Sequence, residues 1–196
     1  MPQLHLPRLP QSGTWDTLTH NHYSVLQMFL FYALPLSLVP AAMMYFAGGA
    51  YGQKLLPALN DMQLVTMGIL FFLAETAVTF LVAYAVRRLG QVVDIKIAYE
   101  NAYKLSVVAA TPLWLAPLCL FVPNAIINIA ANAAALMLAG ILIYYNVPAI
   151  LNVEEGRSAT MLSGAILVVG MVAWAAMMFF TFVSWTYVTS SLFFLR

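Results

Sequence analysis

The chain has 196 residues, 63% of them hydrophobic and only 8% charged, where a soluble domain carries about a quarter. Too few polar groups exist to cover a water-facing surface, so lipid is the expected solvent and the length allows one domain. Eight basic against seven acidic residues leave no electropositive face for a nucleic-acid backbone, and the single Cys119 excludes an intrachain disulfide.

In chain order, residues 1–22 read as an N-terminal segment, partly disordered and rich in Pro at its start, with residues 23–196 as one transmembrane domain. Trp15 to Ser24 mixes aromatic and polar residues like an interfacial lead-in, with Thr14 or Asp16 as a helix cap. A membrane helix needs about 20 mostly apolar residues. The first such run is Val25 to Gly48, interrupted by Pro35 and Pro40. It exceeds the ~7–15 residues of a signal-peptide core, so it is retained as a span. After a short loop, Ala50 to Asp61, the second run goes from Gln63 to Val86 and ends at Arg87 and Arg88.

The stretch Gly90 to Lys104 places Ile95, Tyr99 and Tyr103 on one face and Lys96, Glu100 and Lys104 on an adjacent one, with Glu100 four residues before Lys104. This predicts an amphipathic interfacial helix feeding the third span, Leu105 to Val122, which contains Pro112 and Pro117. Pro123 and Asn124 form a tight turn into a fourth run, Ala125 to Tyr145, and a fifth runs from Met161 to Phe194. The fold class is therefore all-α: a polytopic membrane helical bundle of about five transmembrane helices, with the interfacial helix before the third. No internal repeat divides it, which argues against an inverted-repeat transporter.

Lys and Arg placement sets the expected orientation. The N-terminal segment and the second and fourth loops hold Arg8, Arg87, Arg88, Lys96, Lys104 and Arg157, while the opposite side holds Lys54 and Arg196. That excess predicts a cytoplasmic N-terminus and an external C-terminus.

Glu75 is the sharpest chemical signal, since an ionised group mid-span costs about 2.5–3.5 kcal/mol on insertion scales. It reads either as a proton or cation site or as a carboxyl held by Asn128, Asn132 or Thr79. Asn128 and Asn132, four apart on the fourth span, read as helix cross-links, with a polar pore lining as the alternative. His20 and His22 point in different directions on a helix and lack further ligands, so no metal and no cofactor are expected. The pair Glu154-Glu155 resembles that of intramembrane proteases but falls in a loop beside Gly156, and no span contains a histidine. Intramembrane Ser and Thr have no base to activate them, so an enzyme is not expected.

The stretch Ala98-Tyr99-Glu100-Asn101-Ala102-Tyr103, followed by Ala110-Thr111-Pro112, resembles the signature of the Yip1 domain family, as does Tyr144 to Gly156 with Pro148, Glu154 and Glu155. The resemblance runs from about Tyr23 to the end and is closest to small bacterial inner-membrane members of the YohC type. It implies five spans with a cytoplasmic N-terminus and a periplasmic C-terminus in the bacterial inner membrane. For eukaryotic relatives it implies vesicle trafficking through Rab GTPases, which a chain without their long N-terminal region does not inherit. Glu75 departs from the family pattern. The expected role is a non-enzymatic scaffold, accessory subunit or membrane-shaping protein whose partners are the lipid bilayer and other membrane proteins or itself. The alternative is a small transporter or channel using Glu75 and the Asn128/Asn132 face.

Overall fold

The computed structural model describes residues 24–51, 60–154 and 156–190. Those residues form helices and connections, and five of the helices are long and apolar enough to cross a membrane. They are α1 (Val25–Ala50), α2 (Asp61–Val92), α3 (Tyr99–Phe121), α4 (Ala125–Leu151) and α5 (Arg157–Ser190). The lead-in to the first span up to residue 23, with the cap candidates Thr14 and Asp16, lies outside the described residues.

Short polar residues start α1, α2 and α4. Ser24 and Asn60 each accept the backbone N–H of the residue three further on, Gln27 and Gln63, whose side chains reach back to the cap N–H. These are reciprocal capping boxes that satisfy donors otherwise orphaned at a helix start. Asn124 caps α4 by accepting from Ile126 and Ile127, so the two-residue turn Pro123-Asn124 ends in a built start signal.

The prolines deform helices without ending them. Ahead of Pro35, α1 widens to a π turn at Phe29–Ala33, where the Leu34 N–H reaches the Phe29 carbonyl. A ring without an N–H breaks the ordinary ladder, and a wider turn is one way to accommodate it. At the far end of α3 the helix tightens to 3₁₀ over Ala116–Phe121, with Pro117 in its first turn.

In place of the separate interfacial helix expected at Gly90 to Lys104, α2 continues to Val92 and α3 begins at Tyr99. Asp94 adopts a left-handed conformation at φ 56°, and the Ile95 N–H returns to the Gly90 carbonyl at 2.8 Å. This is the helix-ending motif in which a left-handed residue turns the chain back over the last turn. Ile97 then folds into the core, so Ile95 and Tyr99 never share a helical face. The approach is close: a Cβ on Gly90 would lie 2.8 Å from the Ile95 carbonyl oxygen and would clash with Ile97.

The centre of the bundle is α3. It packs on α1, α2 and α4, while α5 lies against α2 and α4. Of the most apolar stretch of α3, 44% is buried, against 22% or less in the other four helices. Its fully buried Tyr103, Leu105, Val107 and Trp114 form the heart of the core with Val86, Val147 and Leu162. Elsewhere, helices approach through small residues: Gly68 of α2 faces the Ala41 carbonyl of α1, 3.4 Å from where a Cβ would be. Close backbone approach at such residues is how membrane helices gain packing that hydrophobicity alone does not supply.

Candidate functional site

A cavity of about 230 Å³ opens among the helices, with α2, α3, α4 and α5 supplying most of its wall. Apart from the tryptophan indoles its polar contributors are few: Glu75 and Thr79 from α2, Ser106 from α3, and Asn132 from α4. The rest is aliphatic, aromatic or thioether, with Phe71, Trp174, Met177 and Met178 among the large side chains. Two of the residues singled out in the sequence, Glu75 and Asn132, thus share one site. Asn128 is not among its lining residues.

The partners of Glu75 differ from those expected. The Thr79 hydroxyl donates to the backbone carbonyl of Glu75 at 2.9 Å, and the side-chain carboxyl takes its hydrogen bond from Trp114. Its Oε2 is buried and has no hydrogen-bond partner among the described residues. Trp114 was not picked out by sequence reasoning. A signal existed, because a buried indole N–H needs an acceptor and the middle of these spans holds one carboxyl. Ser106 satisfies itself by donating to the Ala102 carbonyl at 2.8 Å.

The helix cross-linking expected of the asparagines is also corrected. Asn132 Nδ2 donates to the Asn128 carbonyl at 3.0 Å, and Asn128 Nδ2 to the Asn124 and Val122 carbonyls at 2.9 and 3.1 Å. Each amide turns back along its own chain, the arrangement in which the donor is satisfied one helical turn away. These bonds close the start of α4 after the Pro123 turn.

Of the residues that carry the resemblance in the sequence, Tyr99, Tyr103, Thr111 and Pro112 lie on α3. Tyr103 is fully buried and stacks on Phe80 at 4.9 Å between centroids, and the Tyr99 ring lies 6.4 Å from that of Tyr103. Thr111, just before Pro112, donates to the Val107 carbonyl at 3.0 Å and meets the Tyr32 hydroxyl of α1 at 2.9 Å. The Pro148 carbonyl accepts the Val153 N–H at 3.2 Å and ends α4, with Asn152 left-handed at φ 54°. Glu154 is exposed, and Glu155 lies outside the described residues. Tyr103 and Thr111 thus tie helices together, and Pro148 helps to terminate one. Among the described residues no group of three His, Cys, Asp or Glu could hold a metal; His5, His20 and His22 lie outside them.

No curated protein and no solved structure matches the chain significantly. The sequence profile of the Yip1 domain matches residues 7–177, which takes in α1 to α4 and most of α5. A multi-pass, five-helix bundle built around the Tyr99–Pro112 segment and matched over most of its length is a family member: the chain belongs to the Yip1 domain family.

Proposed function

We propose that the protein is a non-enzymatic scaffold or accessory subunit that binds other membrane proteins, or itself, and shapes lipid locally. The outward face of α5 carries this reading. Gly164, Val168, Met171, Ala175, Phe179 and Phe182 recur at three- and four-residue spacing and are all exposed. A Cβ built on Gly164 meets nothing within 4 Å. Lipid tails are as apolar as leucine, so association in a bilayer depends on close packing at small residues. Gly164 and Ala175 offer that approach, with large side chains between and beyond them to interdigitate with a partner helix.

The setting that goes with this role is the bacterial inner membrane, as in the small YohC-type members. Residues 1–22 then form a cytoplasmic segment ahead of the domain at 23–196, and the C-terminus is periplasmic. The Lys and Arg distribution supports that orientation. The transporter reading draws on Glu75 and Asn132 facing one cavity, but so apolar a wall suits a bound hydrophobic group better than a water path.

The experiment is a mild-detergent pull-down of the tagged chain, with mass spectrometry of what co-purifies and with vesicle imaging. A stoichiometric complex that is lost in the Gly164→Leu, Ala175→Leu double variant is expected. A lone monomer that binds nothing and leaves vesicle shape unchanged overturns the reading.

A further inference from the structure

We infer that the cavity among α2, α3, α4 and α5 is a binding site for a lipophilic organic cation, an apolar body bearing one ammonium group. Glu75 supplies a carboxyl whose Oε2 has no partner, in a wall that contains no lysine or arginine among the described residues. An ionised carboxylate at membrane depth needs a counter-charge, and the described lining offers none. Aromatic side chains from three helices, Phe71, Trp114 and Trp174, line the same space. Aromatic faces attract ammonium groups through their ring quadrupole, more strongly where water is excluded. Met177 and Met178 add flexible, polarizable surface that adapts to the apolar body.

Size is consistent with this occupant. At about 230 Å³ the space exceeds the ~150 Å³ cavity that takes benzene, so a phenyl ring with a trimethylammonium group fits. A neutral lipid tail would fill the apolar part but leave Oε2 of Glu75 without a partner among the described residues. A free metal ion would satisfy Glu75 but none of the aromatic wall.

The test uses the full chain in maltoside micelles and benzyltrimethylammonium as the probe, with binding followed by Trp fluorescence and equilibrium dialysis. Neopentylbenzene, in which carbon replaces nitrogen, is the uncharged isostere. Saturable binding of the cation is expected, about tenfold or more tighter than that of the isostere, and weakened at least about tenfold in Glu75→Gln. Gly170→Leu is expected to abolish binding of both molecules, because its side chain enters the cavity from α5, where the nearest neighbour of a Cβ is Ile143 at 3.8 Å. Equal affinity for the two molecules overturns the inference, as do a Glu75→Gln protein that binds like wild type and the absence of saturable binding. If Glu75→Gln does not fold, the isostere pair and Gly170→Leu decide alone. A scaffold without this site would still capture its partner, so failure here is separable from failure of the proposed function.

Discussion

The hydroxyl of Tyr32 meets Oγ1 of Thr111 at 2.9 Å across 79 residues of sequence. Thr111 already donates its proton to the Val107 carbonyl, so Tyr32 is the donor in the pair. The bond ties α1 to α3 beside Pro112, where the helix ladder lacks a donor. Tyr32→Phe and Thr111→Val should each destabilise the bundle by about 0.5–2 kcal/mol. The double variant should lose less than the sum of the singles. Unfolding in mixed detergent micelles, run as a double-mutant cycle, measures the coupling; strictly additive losses would show that the hydroxyls do not interact.

Tyr103 gives a prediction of opposite sign. Its ring is fully buried against Phe80, but its hydroxyl has no hydrogen-bond partner among the described residues. Removing an unsatisfied buried group relieves about 1–3 kcal/mol of desolvation penalty. Tyr103→Phe should therefore be as stable as the parent or more so, whereas Tyr103→Ala should lose about 3–5 kcal/mol. Midpoints from the same unfolding titration distinguish the two.

Gly90 admits no side chain, since a Cβ would meet the Ile95 carbonyl oxygen at 2.8 Å. Gly90→Ala should destabilise by about 1–3 kcal/mol and loosen the turn between α2 and α3. Gly49, whose Cβ position has nothing within 4 Å, is the control, with a change below ~1 kcal/mol. Proteolysis at residues 93–98 reports the loosening directly; equal cleavage in the two variants would contradict the close-approach argument.

At the end of α4, Asn152 sits in the left-handed region at φ 54°. Glycine takes that conformation freely, while a β-branched residue meets steric strain of about 1–2 kcal/mol. Asn152→Gly should be neutral or stabilising and Asn152→Val destabilising by about that amount. A thermal-shift series over both variants checks the order.

The proposed orientation can be read by labelling a cysteine-free Cys119→Ala background from one side of the membrane. Arg157→Cys should react only with reagents that reach the cytoplasm, and Lys54→Cys only from outside. Labelling of both from the same face would refute the orientation drawn from charge.

The five spans were legible because apolar runs near membrane thickness have few other uses. Their ends were less so. Arg87 and Arg88 marked the close of the second run, but α2 carries them on its surface and continues to Val92. There Arg88 bonds the Tyr84 hydroxyl and Gln91. Likewise α4 passes Tyr145 to reach Leu151, since a proline at 148 displaces one bond without stopping a helix. The amphipathic pattern at Gly90 to Lys104 was real in its second half, where Tyr99 and Tyr103 lie on α3. It misled in its first half because periodicity carries no mark of the left-handed residue that breaks it. Glu75 was visible as an anomaly, whereas its partner Trp114 was not. A carboxyl in an apolar run stands out alone, but which of many aromatic residues faces it depends on how helices rotate against one another.

The burial of α3 has a consequence for how the chain is made. This central helix is also the least apolar of the five, and its strongest packing includes α4, which is synthesised after it. During biosynthesis α3 must wait in or beside the insertion machinery without its main packing partner, until the turn at Asn124 brings α4 across. Truncation after residue 122 should therefore leave α3 poorly inserted while α1 and α2 remain membrane-embedded, so the first stable assembly unit of this protein is a four-helix one.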